Sequence, residues 1–140
     1  YDLMVWISLT VALFMTFAAP YVYHIAYADA PEYWPGAKVL SVHVWAGIFV
    51  FLGSASGQFL IAEGFTGLSL LRTAMGAVVN IVLNILWIPK FGIIGAAYAT
   101  LIAYFTATFL IVLIPKTRHQ GIMMLKSLFL ITTIQKIIKR

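Results

Sequence analysis

The sequence predicts an all-α integral membrane protein with four transmembrane helices. Of its 140 residues, 63% are hydrophobic and 9% are charged, whereas a soluble domain has roughly 45–50% apolar and about 25% charged residues. Apolar stretches of about 17–25 residues, the length that crosses a bilayer, recur along the chain. Leu3 already belongs to such a stretch and the chain opens at Tyr1, so we expect a C-terminal piece of a longer protein.

The four predicted spans are separated by short turns. They cover residues from about 3–27, 38–62, 70–88 and 91–114. Pro20 lies inside the first span and should kink it or mark a break in the helix. The stretch DAPEYWPG that follows has the mixture of acids, prolines and aromatic residues typical of a loop at the headgroup level. Five aromatic residues are expected to form an interfacial belt there: Tyr21, Tyr23, Tyr27, Tyr33 and Trp34.

The distribution of lysine and arginine predicts the orientation. The spans occupy residues 1–118, and the basic residues beyond the fourth span place the tail, residues 119–140, in the cytoplasm by the positive-inside rule. Alternation then puts Gly67 and Arg118 on the cytoplasmic side and Glu32 and Lys90 on the outer side. The net charge of +5 therefore indicates topology and contact with anionic lipids, and we expect no nucleic-acid partner.

The tail itself is predicted to be an amphipathic helix on the cytoplasmic leaflet. Lys126 interrupts its apolar run, which leaves a stretch too short to span a bilayer. Basic or polar residues recur on one side at helical spacing, namely Lys126, Thr133, Lys136 and Arg140. The alternative is a disordered basic tail.

The third and fourth spans are predicted to form a tight helical hairpin, because Pro89 should stop one helix and Gly92 should ease the start of the next. Small or polar residues recur every four positions, Gly76, Asn80 and Asn84 on one helix and Gly95, Ala99 and Ala103 on the other. Such faces allow close helix packing in lipid. With the apex at residues 89–91, the expected pairs are Asn84 with Ala96, Asn80 with Thr100, and Gly76 with Tyr104.

Two stretches carry a resemblance to a known family. The stretch IAEGFTGLSLLRTAMGAVVNIVLNILWIPKFGIIGAAYATLIAY, residues 61–104, closely resembles the polysaccharide (O-antigen, Wzx-type) flippases of the multidrug/oligosaccharidyl-lipid/polysaccharide exporter superfamily. Upstream, AYADAPEYWPGAKVLSVHVWAGIFVFLGSASGQFLIAEG resembles the two preceding spans of the same proteins. Asp29 stands where these proteins often have glycine, and Gly67 where lysine is common.

The resemblance implies a twelve-helix, two-lobed transporter of the bacterial inner membrane, of which these spans are helices nine to twelve. Such proteins move undecaprenyl-diphosphate-linked oligosaccharide repeat units across the membrane by alternating access, for O-antigen, lipopolysaccharide or capsule synthesis. The implied partners are the lipid-linked oligosaccharide, membrane lipids and the remaining helices of the full-length transporter.

Five residues are candidates for substrate binding: Lys38, His43, Arg72, Asn80 and Asn84. A lipid diphosphate is anionic and calls for positive charge, whereas a cation-coupled drug antiporter usually needs an intramembrane carboxylate, which the predicted spans lack. Each candidate also has a structural interpretation. Lys38 and Arg72 lie near interfaces, where such side chains extend to the headgroups; His43 and the asparagines can bond neighbouring helices, and His43 is also a candidate pH-sensitive group.

No motif indicates an enzyme. The chain has no glycine-rich phosphate loop, HExxH motif or paired carboxylates at catalytic spacing, and it has no cysteine. We therefore expect no catalytic residue, metal ligand or cofactor. Two alternatives to the flippase stay open: a multidrug antiporter of the same superfamily, and a non-transporting membrane scaffold or inactive fragment.

Overall fold

A computed structural model describes residues 1–138, except the side chains of residues 136 and 137, and its regular elements are all helical. Four of these helices are long and apolar enough to cross a bilayer, which confirms the predicted fold class. The elements are α1 (Asp2–Ala26), α2 (Gly36–Ala62), α3 (Thr66–Phe91), α4 (Ile93–Phe109), α5 (Arg118–Leu128) and α6 (Ile131–Ile138). Short 3-10 helices, Pro31–Tyr33 and Leu110–Leu113, precede α2 and extend α4.

The long helices do not pack in chain order. α2 packs closely against α1 and α4, α3 packs against α4, and α2 and α3 contact each other only slightly. The spatial order is therefore α1, α2, α4, α3. Because α2 and α3 both lie on α4 without closing on each other, a groove forms between them.

Small residues bring α1 and α2 together. Ala12 and Ala19 of α1 and Ala46 of α2 are fully buried, as expected where close approach replaces hydrophobic pairing. Trp45 Nε1 adds a hydrogen bond of 3.1 Å to Thr16 Oγ1. Pro20 lies inside α1, which continues to Ala26, so of the two alternatives expected at this proline, a kink or a break, the break does not occur.

A single residue, Gly92, connects α3 to α4 in the hairpin. Gly92 connects the helices with φ of +63°, a backbone conformation that favours glycine. The prediction that Pro89 stops the third helix is wrong, because α3 continues to Phe91. Proline removes one helical hydrogen bond but keeps a helical φ, and the last turn still closes with Gly92 N–H donating to the Ile88 carbonyl over 2.8 Å.

The hairpin seam agrees with the predicted register near the turn and departs from it further away. Asn80 faces Thr100 as predicted. A Cβ added to Gly76, however, would lie 2.7 Å from Ala107 Cβ and 3.2 Å from the Ala103 carbonyl oxygen. Gly76 therefore packs on Ala103 and Ala107, on either side of the predicted partner Tyr104 along the helix.

The tail forms two short helices rather than the single helix predicted. α5 and α6 have 11 and 8 residues, about 16 and 12 Å of helix, too short to span a bilayer. Both are tied to the start of α1, where Asp2 accepts hydrogen bonds from Ser127 (2.7 Å) and Thr132. Lys126 is exposed and Thr133 half-buried; the predicted positions of the Lys136 and Arg140 side chains lie outside the described part of the chain.

The aromatic residues of the first loop cluster at the opposite end of α1. The rings of His24 and Trp34 lie 4.0 Å apart between centroids, and those of Tyr27 and Tyr33 lie 5.1 Å apart. Trp34 Nε1 donates to the Tyr27 carbonyl at 3.0 Å. These contacts fix the loop against the helix ends and leave Trp34 and both tyrosines partly exposed.

Candidate functional site

The candidate site is the groove between α2 and α3, with α4 as its floor. Its volume is about 600 Å³, which is in the range of small-molecule sites. Its lining is mostly small or polar: Phe49, Val50, Gly53, Ser54, Arg72, Thr73, Gly76, Ala77, Asn80, Thr100, Ala103, Tyr104, Ala107 and Thr108. At a rise of 1.5 Å per residue, the eight steps from Arg72 to Asn80 correspond to about 12 Å along α3.

Arg72 is the charged member of this lining. Its position near the end of a span suggested a side chain that extends to the lipid headgroups. The side chain is instead buried, with 6% of its surface exposed. Nη2 donates a hydrogen bond to the Gly53 carbonyl on α2. Nη1 is buried and has no hydrogen-bond partner among the described residues. A buried arginine nitrogen without an acceptor costs free energy inside a membrane protein. The unpaired Nη1 therefore indicates where a ligand could bind.

The charge of Arg72 is not balanced by a carboxylate within the described residues. The titratable group that acts on it is the phenol of Tyr1. Partial burial raises the pKa of Tyr1 above its ordinary value of 10.0, and the positive charge of Arg72 opposes that rise. The phenol is therefore neutral at physiological pH, and the Arg72 end of the groove keeps a net positive charge.

The asparagines form a polar chain further along the hairpin. Asn84 Nδ2 donates to Asn80 Oδ1 over 2.9 Å, and Asn80 Nδ2 donates to Thr100 Oγ1 over 3.3 Å. Thr100 in turn donates to the Ala96 carbonyl over 2.9 Å. Asn84 does not line the groove, and its buried Oδ1 has no partner among the described residues. The predicted packing role of Asn80 is thus confirmed, while Asn80 also faces the groove.

Three interhelical hydrogen bonds surround the groove and join its helices pairwise. Arg72 joins α3 to α2 and Asn80 joins α3 to α4. Thr108 Oγ1 of α4 donates to the Phe49 carbonyl of α2 over 2.9 Å. Sequence reasoning missed Thr108 and Gly53. The spacing of Gly53 and Gly57, four residues apart on α2, signals close approach on this face of the helix, although it does not indicate which helix packs there.

Two of the predicted site residues lie elsewhere. Lys38 and His43 are exposed on α2 and are not part of the groove lining. The structure therefore brings Arg72 and Asn80 together in one groove, adds Asn84 behind Asn80, and separates Lys38 and His43 from them. The combined site offers one buried cation, hydroxyl and amide groups, and an apolar floor, an arrangement suited to an anionic group carried on an apolar molecule.

One similar protein supports the membrane assignment. The chain is 36% identical over 75 residues to an uncharacterized membrane protein of Methanocaldococcus jannaschii. The matched segment covers 54% of this chain and 15% of that relative, so the chain corresponds to a small part of its length. No protein-family profile and no solved structure matches the sequence. Together with the four long apolar helices, the match identifies a multi-pass membrane protein.

Proposed function

We propose that this chain is part of a flippase that moves undecaprenyl-diphosphate-linked oligosaccharide across the bacterial inner membrane by alternating access, with its C-terminus in the cytoplasm. The observation that carries the proposal is Arg72, a buried cation that lines the groove without a carboxylate partner in the described residues. A diphosphate supplies the negative charge that this cation lacks.

The acidic residues favour this cargo over a cationic drug. Asp2 begins α1, one residue before the predicted span, and it is engaged by Ser127 and Thr132 away from the groove. Asp29, Glu32 and Glu63 are exposed in or beside turns. A cation-coupled antiporter uses a carboxylate within its transport pathway, and the groove lining contains none.

Four spans do not enclose a two-lobed pathway, so the proposed activity belongs to the longer transporter that contains them. The partners in this proposal are the lipid-linked oligosaccharide, membrane lipids and the other helices of that transporter. The groove then contributes polar surface to one lobe. The chain acts as a carrier and performs no covalent chemistry on its cargo.

The test is complementation with the complete reading frame in a strain that lacks its own flippase. We expect surface polysaccharide to return, and Arg72→Gln to lower its amount while the protein level in the membrane stays normal. Lys90→Gln is the matched control, because Lys90 is an exposed cation at the other end of the same helix. Normal membrane levels without polysaccharide, combined with drug resistance, would favour the antiporter instead.

A further inference from the structure

The hydrogen bond from Arg72 to the Gly53 carbonyl, here called the Arg72 bridge, joins two helices that otherwise contact each other little. α2 and α3 each pack closely on α4 and only slightly on one another. Among the described residues, the Arg72 bridge is the side-chain hydrogen bond that connects α2 directly to α3. The separation of these two helices across the groove therefore depends on where the guanidinium binds.

The bridge uses only part of the guanidinium. Arginine carries five N–H donors in a planar fork, yet Nη1 has no partner in the described part of the chain. The Gly53 carbonyl is a single acceptor, so it cannot satisfy both ends of the fork. A carboxylate or phosphoryl group accepts from both nitrogens at once. The Arg72 bridge is thus an incomplete contact for the cation.

The α2 side of the bridge can give up this contact at little cost. Gly53 lies within α2, where its carbonyl also accepts the helical hydrogen bond from the residue four positions later, and a carbonyl has two lone pairs. Gly57 leaves the space that the guanidinium occupies, since a Cβ there would lie 2.9 Å from Arg72 Nη2. Loss of the bridge leaves no unpaired carbonyl on α2, but it leaves a second guanidinium nitrogen of Arg72, Nη2, without an acceptor.

We propose that the Arg72 end of the groove is a binding site for a phosphoryl group carried on a lipid, and that this group replaces the Gly53 carbonyl as the partner of Arg72. The phosphoryl oxygens accept from both Nη1 and Nη2, the Arg72 bridge opens, and α2 and α3 move apart over α4. Ligand binding and widening of the groove are then one event. The assignment rests on the proposed function for the identity of the transported lipid, but the exchange at Arg72 requires only an anionic lipid.

The surroundings of Arg72 favour a lipid over free phosphate. Exposed lining residues at the edge of the groove belong to membrane-spanning helices and include Val50, Ala77 and Tyr104. A hydrated ion gains nothing from such apolar surface, whereas an acyl or prenyl chain buries it. Ser54, which is also exposed at the edge, supplies a hydroxyl group for a remaining phosphoryl oxygen.

The test is a distance measurement across the groove in the complete polypeptide, reconstituted in phosphatidylcholine nanodiscs. Spin labels at Gln58→Cys of α2 and Val78→Cys of α3 report the separation, because both residues are exposed and neither lines the groove. We expect one short distance without ligand and a longer one with undecaprenyl diphosphate. Undecaprenol, which lacks the phosphates, and inorganic phosphate alone should each leave the short distance unchanged.

Variants connect the movement to the bridge. Arg72→Met should give long or broad distances in every condition, with no response to ligand, while Lys90→Met should behave as the unmodified protein. Gly57→Ala, which displaces the guanidinium without removing its charge, should shift the ligand-free distribution toward the long distance. If Arg72→Met instead abolishes folding, Arg72→Lys serves the same purpose, because it keeps the charge but loses the bidentate fork.

The results of the distance measurement distinguish failure of the phosphoryl-binding site from failure of the proposed function. An unchanged distance on addition of every anionic lipid, or an equal response in Arg72→Met, would overturn the site. Opening with inorganic phosphate alone would overturn the lipid as the source of the phosphoryl group. Opening with phosphatidic acid but not with undecaprenyl diphosphate would support the site and contradict the proposed cargo.

Discussion

Asn80 and Thr100 are linked across the α3–α4 seam, with 3.3 Å between Asn80 Nδ2 and Thr100 Oγ1. The two residues lie twenty positions apart in sequence, on either side of a connection that consists of Gly92 alone. Thr100 also donates to the Ala96 carbonyl, and Asn80 accepts from Asn84. The contact is thus one link of a polar chain that fixes the register of the hairpin in lipid.

The Asn80–Thr100 contact should be measurable as a coupling energy. Asn80→Leu should lower stability in detergent by roughly 0.6 to 2 kcal/mol, the range of interhelical hydrogen bonds in membranes. Because Thr100→Val removes the same bond, the double variant should lose less than the sum of the single losses. Unfolding of the four proteins in a denaturing detergent completes the cycle; strict additivity would mean that the contact contributes nothing.

Adding one methyl group at Gly95, near the turn of the hairpin, should lower the stability of the protein. A Cβ at Gly95 would lie 2.7 Å from the Trp87 carbonyl oxygen, a backbone atom that cannot move aside without shifting α3. Gly95→Ala should therefore destabilise the hairpin by about 1–3 kcal/mol, as overpacking does. Gly47→Ala is the matched control, since no atom lies within 4 Å of its added Cβ. Alanine is the better helix former there, so equal losses in both variants would contradict the close packing.

Membrane orientation is testable with single cysteines, since the natural chain has none. Glu32, Gly67, Lys90 and Arg118 are all exposed and lie in or beside the turns that alternate between the two ends. An impermeant maleimide applied to sealed cells should modify Glu32→Cys and Lys90→Cys and leave Gly67→Cys and Arg118→Cys unmodified until the membrane is opened. The reverse pattern would invert the predicted topology.

Asp2 should control the docking of α6 more than that of α5. The carboxylate accepts from Ser127 at the end of α5 and from Thr132 at the start of α6. α5 is also held by Met124, which belongs to the buried core. Since hydrogen bonds to charged groups contribute about 1.5–3 kcal/mol, Asp2→Ala should speed amide hydrogen exchange in residues 131–138 by about tenfold or more.

The control for Asp2 is Asp29→Ala, because Asp29 is an exposed acid in the first loop. This change removes the same charge and should leave exchange in both tail helices as it is. Equal exchange in the Asp2→Ala and natural proteins would show that apolar contacts alone hold α6 in place.

Periodicity predicted the parts of this fold that depend on local sequence. The apolar runs set the number of spans, and the four-residue spacing of Asn80 and Asn84 against small residues placed Asn80 opposite Thr100, because a short connection leaves two helices little freedom of register. The partner of Gly76 was predicted wrongly by counting residues from the turn. A small error in register grows with distance from the turn, and Gly76 lies far from it. Pro89 failed as a stop signal because a proline in the last turn costs one hydrogen bond, whereas the positive φ of Gly92 ends the helix.

The groove could not be predicted in this way, since it depends on the order in which the helices pack. Nothing in the local pattern indicates that α4 lies between α2 and α3, so the burial of Arg72 against Gly53 was not foreseeable from its position near a span end. Lys38 and His43 were equally plausible by composition. Packing leaves Lys38 and His43 exposed on α2, whereas it buries Arg72 of α3 in the groove.

The position of α4 between α2 and α3 dictates an order of assembly. A chain is synthesised from its N-terminus, so α1 and α2 can pair as soon as they leave the ribosome. α3 emerges next, yet its main partner in the finished protein is α4, and until α4 arrives Asn80 lacks Thr100. A nascent chain stalled after Phe91 should therefore keep α3 cross-linked to the translocation channel, and synthesis of α4 should release both together. Because Gly92 alone connects α3 and α4, we expect the two helices to insert into the membrane as one unit.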